Sequence, residues 1–597
     1  MSWQAWYTLA VVLAVVAVLA SDRLSAPITI LTAVAALVAP GVITTAEALS
    51  GFSNEAPVTI AALYVLAAAV LATGALEGVT ARLLSSQPRS SPGPGRLELA
   101  RLLVPVAAMS AFIYNTPLTA MSAPPVAAWA SRTGRRPSWY LLPLNLAILG
   151  GGMITAIGTT TNVVISGLLT ASHQRPLFLL EPLAVGGPIC VAVLAILVIT
   201  GPLLARDRTA PAEHMADPRT FTVEMELVPG GGLAGLTVAQ AGLRHLEGVF
   251  LIEISHNGTT ATAVGPEQRL AEHDRLVFTG NINRVLDLHR IAGLQPVGDP
   301  QFTTTSSPGR RFYEAVIGGD SELVGRTLKE SQFRSRFGGA VVAIHRSGEA
   351  VARKLGEVAL RAGDVLLVLA DPRFRNRAND SRAFALVASP DGSPAPLRRG
   401  KSLIVNLVLL GFLAAAVSGI TSVLIAAVLA AGAVVVFGVI KPWEARAAID
   451  LNLLVVLCGS FGIGAAVGKS GLAKECASLL VEALHMFGAV GILAGVLVAT
   501  VVITQLVTNN AVAVLMFPIA MATAAQAHLS QRSFVLAILV GASASFITPI
   551  GYQTNLIVHG LGGYRWSDFV MIGLIPLIAA IAVALAAIMV FFPPAGG

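Results

Sequence analysis

Four short polar runs interrupt the apolar stretches of this sequence, and their residue types could do chemistry. They lie at residues 114–117, 158–162, 508–510 and 548–555, and they consist mainly of hydroxyl, amide, glycine and proline residues. Hydroxyl and amide side chains supply neutral oxygens, which suit a hard cation such as sodium. A helix that begins at such a break also offers free N–H groups that attract an anion. The runs therefore predict a site that binds a cation and an anion.

The four runs form two matching pairs. Asn115 is followed nine positions later by Pro124, as Asn509 is by Pro518. At a constant offset of 393, a second set of residues recurs: Thr155, Gly158, Thr161, Asn162 and Gly167 as Thr548, Gly551, Thr554, Asn555 and Gly560. An alternative interpretation is that the Asn and Thr residues only cap broken helices. Four symmetric occurrences favour a binding site.

Acidic residues are missing around the polar runs. Residues 102–168 carry three arginines as their only charged side chains, and residues 486–560 carry only Arg532. Proton-driven exchangers usually place a carboxylate at the membrane midplane. The pattern therefore favours Na⁺ over H⁺ as a coupling ion, with His559 as the alternative proton carrier.

The composition indicates a membrane protein that crosses the bilayer many times. The chain has 597 residues, of which 55% are hydrophobic and 12% charged, and its mean hydropathy is +0.74. Apolar runs of about 20 residues recur at both ends. The three cysteines form no CxxC pair, and the sequence contains no GxxxxGK[ST] or HExxH motif and no GxGxxG motif after a predicted strand. We therefore expect no enzyme, no ATP-driven pump and no disulfide scaffold, and we assign the net charge of +7 to cytoplasmic loops rather than nucleic-acid binding.

Hydropathy divides the chain into three parts: a first transmembrane repeat (1–205), a polar insert (206–400) and a second transmembrane repeat (401–597). An internal duplication divides the insert into two small domains, 206–298 and 299–400. The predicted apolar segments of the first repeat are 5–20, 27–46, 57–76, 102–130, 138–168 and 177–205. Those of the second repeat are 403–417, 420–440, 450–468, 488–528, 533–558 and 569–592.

The segment 102–130 is too long for one crossing, and its middle carries the run 114–117. The loops on both sides are basic, so the positive-inside rule places both in the cytoplasm. This pattern predicts a re-entrant hairpin with Asn115 at its tip. Five crossings and one hairpin in each half predict an inverted repeat. The expected fold class is an all-α polytopic membrane protein with inverted repeats and re-entrant hairpins, plus tandem small α/β cytosolic domains, located in the inner cell membrane.

The insert contains its own duplication at an offset of 90 residues, for example Glu224 and Asp274 recurring as Glu314 and Asp364. The sequence predicts two strands in each copy. They lie at 250–254 and 275–279 in the first copy and at 340–344 and 365–369 in the second copy. A short amphipathic helix is expected ahead of them.

The hairpin tips resemble the Ser-Asn-Thr motifs of the divalent anion/sodium symporter family, within the ion transporter superfamily. Tyr114-Asn115-Thr116 has Tyr where the family has Ser, and Thr508-Asn509-Asn510 has Thr and Asn in place of Ser and Thr. The resemblance implies a homodimeric, elevator-type secondary transporter of a small divalent anion. It implies substrate binding by five residues: Asn115, Thr116, Thr508, Asn509 and Asn510. The departures favour a compact oxyanion such as sulfate over a dicarboxylate.

The same resemblance implies that Na⁺ is the coupling ion and that no other cofactor is needed. The sodium ligands that it implies are Asn115, Gly158, Thr159, Asn162, Asn509, Thr548, Gly551 and Asn555.

The inserted domains resemble TrkA C-terminal domains, on three segments of the second copy: 325–330, 346–349 and 360–364. Permeases with such tandem inserts resemble the sulfate-permease branch of bacteria and algae. In the wider domain family a small ligand or nucleotide can bind at the dimer interface. The alternative is a purely structural dimerisation lobe.

Other functions remain open from the sequence. They are an anion-supply sensor with little transport, a dicarboxylate symporter, a cation/proton exchanger or arsenite permease of the same superfamily, and a gated channel. The residues do not rank sulfate, thiosulfate, molybdate and dicarboxylates as substrates.

Overall fold

The computed structural model describes residues 2–21, 24–74, 94–204, 208, 220–243, 249–256, 259–261, 264–281, 293–296, 311–318, 321–346, 349–351, 355–371, 374, 377–378, 383–388, 398–549 and 551–594. Two compact units are present. Unit 1 comprises Met1–Asp207, Pro394–His559 and Tyr564–Gly597, and unit 2 comprises Arg208–Ser393 with Gly560–Gly563. The predicted boundary between residues 298 and 299 lies outside the described residues and stays a prediction.

The first half of unit 1 is helical because its sequence is a succession of apolar runs that end at Gly, Pro or polar residues. Its helices are α1 (Trp3–Ser21), α2 (Ala26–Val38), α3 (Thr45–Ala48), α4 (Glu55–Thr73), α5 (Arg96–Ser110), α6 (Asn115–Arg132), α7 (Leu141–Gly152), α8 (Thr160–Ala171) and α9 (Leu183–Leu204).

The second half of unit 1 is helical for the same reason. Its helices are α11 (Ser402–Ser418), α12 (Val423–Val436), α13 (Pro442–Ala448), α14 (Leu451–Lys469), α15 (Leu472–Leu484), α16 (Gly488–Thr504), α17 (Asn509–Gln526), α18 (Gln531–Ser543), α19 (Gln553–Gly562) and α20 (Trp566–Phe591). The label α10 belongs to a short helix of the insert, described below.

Among the described residues, five helical stretches are long and apolar enough to cross a membrane: Glu55–Thr73, Leu183–Leu204, Leu451–Lys469, Leu472–Thr504 and Trp566–Phe591. Several other apolar helices are shorter, for example Thr160–Ala171 and Gln531–Ser543. The predicted helical polytopic membrane fold is confirmed.

Both long segments break where the sequence predicts. Helix α5 ends at Ser110 and α6 begins at Asn115, while α16 ends at Thr504 and α17 begins at Asn509. A second break separates α7 from α8 and α18 from α19, so that each predicted crossing at 138–168 and 533–558 consists of two half-helices. The four polar runs therefore lie at helix ends rather than inside helices.

Helix α15 was not among the predicted segments. Its apolar residues share the chain with Lys474, Glu475 and Glu482, so no continuous apolar run marks it. Leu472, Ala473 and Ala477 are buried, which is the pattern of an amphipathic helix with one packed face. The short helices α3 and α13 also escape a hydropathy search because they have only four and seven residues.

Unit 2 contains two five-stranded antiparallel sheets. The first copy comprises β1 (Thr220–Leu227), β2 (Val249–His256), β3 (Thr259–Ala261), β4 (Arg275–Asn281) and β5 (Leu294–Pro296). The second comprises β6 (Arg311–Ile317), helix α10 (Phe333–Phe337), β7 (Gly339–Arg346), β8 (Glu349–Ala350), β9 (Val365–Ala370) and β10 (Phe384–Ala388). The strand orders are β3-β2-β4-β1-β5 and β10-β6-β9-β7-β8, which place equivalent strands in equivalent positions.

The offset of 90 residues extends to individual hydrogen bonds. Gly235 N donates to Leu270 O and Gly325 N to Leu360 O, each over 2.8 Å. All four predicted strands are present. The remaining six were not predicted, and the three shortest have only two or three residues. The predicted helix precedes β7 as α10. At the offset of 90, the prediction for the first copy falls on residues 243–247, of which 244–247 lie outside the described residues.

Candidate ion and anion site

The tip of the first hairpin is held by one buried hydroxyl. Ser110 Oγ lies 2.8 Å from Asn115 Oδ1 and 2.7 Å from the carbonyl oxygen of Ile148. Ser110 ends α5, Asn115 begins α6 and Ile148 belongs to α7, so this hydroxyl joins three helices. Asn115 is buried, with 3% of its surface exposed.

The second hairpin makes the same contacts. Thr504 Oγ1 lies 3.0 Å from Asn509 Oδ1 and 2.9 Å from the carbonyl oxygen of Ala542. These residues correspond to those of the first hairpin at an offset of 394. Sequence reasoning missed Ser110 and Thr504, although each stands five positions before its Asn and this shared spacing is a usable signal.

In each half, an asparagine side-chain amide forms hydrogen bonds across the second break. Asn162 Nδ2 donates to the carbonyl oxygens of Gly152 (3.3 Å) and Thr155 (2.7 Å). Asn555 Nδ2 donates to the equivalent carbonyl oxygens of Ser545 (2.8 Å) and Thr548 (2.7 Å). The two amides hold the non-helical backbone in shape, which matters at membrane depth because water is not available there to pair with it.

The threonine seven positions before each of these asparagines forms a hydrogen bond with the backbone of the neighbouring hairpin. Thr155 Oγ1 donates to the carbonyl oxygen of Ala111, and Thr548 Oγ1 lies 3.3 Å from that of Gln505. Each hairpin tip and its neighbouring break thus form one structure lined by hydroxyl, amide and carbonyl oxygens.

Helix capping accounts for only part of this pattern. Thr159 accepts a hydrogen bond from Thr161 N, as an N-cap residue does. Tyr114 and Thr508 occupy the N-cap positions of α6 and α17, and neither side chain makes a capping hydrogen bond. Asn115 and Asn509 are the first helical residues, and their side-chain oxygens face Ser110 and Thr504 instead.

Close backbone packing explains glycines at the site. A Cβ on Gly152 would lie 2.6 Å from Asn115 Oδ1, and one on Gly158 would lie 2.5 Å from the carbonyl oxygen of Gly152. A Cβ on Gly551 would overlap Ser545 Oγ and lie 2.9 Å from the carbonyl oxygen of Thr504. Gly158 and Gly551 therefore lie against the oxygen-lined breaks, and their predicted role as sodium ligands stays a prediction.

The two halves meet through polar side chains. Asn510 Oδ1 lies 3.1 Å from Thr160 Oγ1 and 3.4 Å from Thr161 Oγ1. Asn145 Nδ2 donates to Asn555 Oδ1 over 2.5 Å. The second-half hairpin and α19 are thus both tied to first-half helices.

The correspondence between the two halves does not extend to the side-chain amide of Asn145. At the offset of 394 that relates Ile148 to Ala542, the counterpart of Asn145 is Leu539, which is apolar. The Oδ1 atoms of Asn162 and Asn145 are buried without a hydrogen-bond partner among the described residues. The two equivalent breaks therefore differ in their available oxygens.

One tyrosine is placed differently from what the motif comparison suggests. The ring of Tyr114 packs edge-on against Tyr64 of α4, with ring centroids 5.6 Å apart. Tyr552 lies in the second-half break and is partly exposed.

The predicted substrate-binding residues differ in their burial. Thr116 is partly exposed and Thr508 is exposed, whereas Asn509 and Asn510 are buried. No group of three His, Cys, Asp or Glu side chains that could hold a metal ion occurs in the described part of the chain. His559 is buried and its ring lies 5.9 Å from that of Phe569.

Such a site can hold a cation through neutral oxygens and an anion through the N-termini of α6, α8, α17 and α19. Each helix N-terminus contributes roughly 0.3–1 kcal/mol to anion binding. Broken helices with polar breaks inside an apolar helical bundle are typical of multi-pass membrane transporters.

Comparison with known proteins identifies the family. The family model "CitMHS: Citrate transporter" matches residues 15–541, so the chain belongs to the citrate transporter family. It is a multi-pass membrane protein of a transporter family and not an enzyme.

The relatives differ in what their names describe. A protein of Chlamydomonas reinhardtii named "Putative sulfur deprivation response regulator" is 34% identical over 568 residues, which cover 93% of this chain and 96% of that protein. "Sodium/sulfate cotransporter 1" of the same organism is 28% identical over 366 residues, 60% of this chain and 41% of that protein. The solved GsuK RCK domain covers 28% of this chain and 64% of its own, at 12% identity and a TM-score of 0.15, too low to establish a shared fold.

Proposed function

We propose that this protein is a cation-coupled secondary transporter of a small divalent anion, with sulfate as the favoured anion and Na⁺ as the favoured coupling ion. The observation that carries the proposal is the duplicated set of contacts at the two hairpin tips, Ser110 with Asn115 and Thr504 with Asn509. The sodium/sulfate cotransporter among the relatives supports the choice of ions.

The charge of the site supports coupling of a cation to an anion. Its walls are neutral oxygens, and residues 102–168 and 486–560 contain no carboxylate. A dianion alone in an apolar surrounding carries a large desolvation cost, which a bound cation lowers. Binding of one ion therefore promotes binding of the other, and neither crosses efficiently alone.

The contacts at the hairpin tips and breaks support the residue assignment that we propose. Asn115 and Asn509, with Ser110 and Thr504, would line the two cation positions, together with the backbone oxygens of the neighbouring breaks. Thr116, Thr508 and Asn510 would contact the anion between the hairpin tips. The remaining proposed cation ligands belong to the two breaks that an asparagine amide bridges: Gly158, Thr159, Asn162, Thr548, Gly551 and Asn555.

The proposed mechanism is elevator-type transport by a homodimer in the inner membrane. In each subunit, the hairpins and broken helices would move against a scaffold of the unbroken helices. The insert would lie in the cytoplasm as a pair of TrkA C-terminal-like lobes that bind a small regulator or nucleotide. Resemblance to the symporter family and to regulatory lobes supports these assignments.

The test is uptake of labelled sulfate into proteoliposomes, with an inward Na⁺ gradient, with an inward H⁺ gradient, and with neither. We expect uptake that the Na⁺ gradient stimulates at least tenfold and that succinate does not inhibit. Uptake driven by the H⁺ gradient alone would assign the coupling to protons, and no sulfate uptake under any gradient would contradict the proposal.

The residue assignment has its own test. Asn115→Ala and Asn509→Ala should each abolish uptake while the protein still elutes as a folded dimer. Asn406→Ala is the matched control because Asn406 is an exposed residue of α11. Normal uptake by both site variants would refute the assignment.

An anion-supply sensor is the second candidate function, and the name of the Chlamydomonas regulator favours it. If the protein is a sensor, the purified protein should bind sulfate and still give no sulfate uptake in proteoliposomes. Sulfate-dependent thermal stabilisation without transport would therefore support this alternative.

A further inference from the structure

The second break of the second half contains a buried hydroxyl that the surrounding protein does not pair. Ser545 lies just after α18, which ends at Ser543, and 0% of its surface is exposed. Its Oγ makes no hydrogen bond with any of the described residues. A hydroxyl has one donor and two acceptor positions, and leaving it unpaired away from water is unfavourable. Such a group is well suited to bind a ligand that enters the break.

Two more oxygens surround the space that this hydroxyl faces. A Cβ on Gly551 would overlap Ser545 Oγ, and it would lie 2.9 Å from the carbonyl oxygen of Thr504 and 3.1 Å from Thr548 Oγ1. Because Gly551 has no side chain, these three oxygens converge beside its backbone. All three are neutral, and neutral oxygens are ligands that suit a hard cation.

The neighbouring backbone also favours a cation at this place. Helix α16 ends at Thr504, so its last carbonyl groups have no partner within the helix and carry partial negative charge. The carbonyl oxygens of Ser545 and Thr548 already accept hydrogen bonds from Asn555 Nδ2, over 2.8 and 2.7 Å. The hydroxyl is therefore the part of Ser545 that remains for a ligand.

The first half has no counterpart of this hydroxyl. Gly152 occupies the position of Ser545, and the carbonyl oxygens of both residues accept a hydrogen bond from the asparagine amide of their break, Asn162 and Asn555 respectively. The three atoms nearest to a Cβ on Gly158 would all belong to the Gly152 backbone. The two halves thus differ by one side-chain oxygen at equivalent places.

We propose that the Ser545 hydroxyl is a ligand of the cation in the second half, and that this half therefore binds its cation more tightly than the first half does. The inference rests on the proposed function, which assigns one cation position to each half. An additional neutral oxygen strengthens cation binding without placing a charge in the apolar bundle. The cation position of the second half then fills at the lower Na⁺ concentration.

Two substitutions of Ser545 separate cation binding from packing. Ser545→Ala removes the hydroxyl oxygen. Ser545→Cys occupies a similar space with a sulfur atom, which is a soft ligand and suits Na⁺ poorly. The control is Ser533→Ala, because the buried Ser533 hydroxyl lies near the start of α18 and donates to the carbonyl oxygen of Phe592 over 2.7 Å.

Two measurements report on the cation. Thermal unfolding of the purified protein in increasing Na⁺, with choline replacing Na⁺ at constant ionic strength, measures cation binding without transport. Sulfate uptake into proteoliposomes over the same Na⁺ range measures coupling. We expect both Ser545 variants to need about tenfold more Na⁺ for half-maximal stabilisation and for half-maximal uptake, which corresponds to about 1.4 kcal/mol. The KM for sulfate at saturating Na⁺ should stay within twofold of the wild type, and Ser533→Ala should keep the wild-type Na⁺ dependence.

Unchanged Na⁺ dependence in folded Ser545→Ala would overturn the proposal. Wild-type Na⁺ dependence in Ser545→Cys would show that this side chain only fills space, which also overturns it. Either result, with a wild type that takes up sulfate in response to Na⁺, leaves the proposed function intact. A wild type that Na⁺ stabilises but that takes up no sulfate would refute the proposed function, and weaker stabilisation of Ser545→Ala would still support the ligand.

Discussion

Substitution of Gly152 by Ala tests the hairpin-tip geometry directly. The new Cβ would lie 2.6 Å from Asn115 Oδ1 and 3.0 Å from Nδ2, so the amide has to move. Movement breaks the contact with Ser110, which is 2.8 Å long. A buried polar group that loses its partner costs about 1–3 kcal/mol. If the amide is a cation ligand, the Na⁺ concentration for half-maximal uptake should rise roughly five- to hundredfold.

Gly150→Ala is the matched control, two residues away in the same helix. A Cβ on Gly150 would have its nearest neighbours at 3.7 Å, which is ordinary van der Waals contact. The assay is sulfate uptake into proteoliposomes over a range of Na⁺ concentrations for the wild type and both variants. We expect the control to match the wild type.

The reasoning also predicts non-additivity. Ser110→Ala removes the same hydrogen bond, so the double variant Ser110→Ala/Gly152→Ala should need little more Na⁺ than Gly152→Ala alone. Unchanged Na⁺ dependence in folded Gly152→Ala would refute the role given to Asn115. Equal losses in Gly150→Ala and Gly152→Ala would instead show that α7 tolerates no added side chain.

Three further predictions each concern one buried polar side chain. Asn145→Leu removes the donor to Asn555 and should lower unfolding stability by about 1–3 kcal/mol, measured as a lower midpoint of thermal unfolding. Burial raises the pKa of Glu314 from its usual 4.5 to about 7. The folded protein thus holds this proton more tightly than the unfolded chain, and stability should fall by about 3 kcal/mol as pH rises from 4.5 to 7. Glu314→Gln should remove that pH dependence, and an unchanged pH profile would contradict it. Asp364→Asn should loosen the insert by about 2 kcal/mol, because Arg346 binds both carboxylate oxygens of this buried residue, and should speed limited proteolysis there.

Features that depend on neighbouring residues in the chain were predictable from the sequence. Long apolar runs predict the helices, and the polar runs predict where α6, α8, α17 and α19 begin. The shared offset predicts that Asn162 and Asn555 are equivalent, and they make equivalent hydrogen bonds. These features were predictable because hydrophobicity and helix breaking depend on neighbouring residues, and because a duplication can be detected by comparing two segments of the sequence.

Contacts between distant segments were decided by tertiary structure alone. Asn145 and Asn555 are 410 positions apart, and no local pattern pairs them. The motif comparison drew attention to Tyr114, and packing places its ring against that of Tyr64, which lies far earlier in the chain. A sequence pattern defines which groups a break exposes, but which half-helix faces which depends on how the two halves pack. The partners of these buried polar groups therefore emerge only in the folded chain.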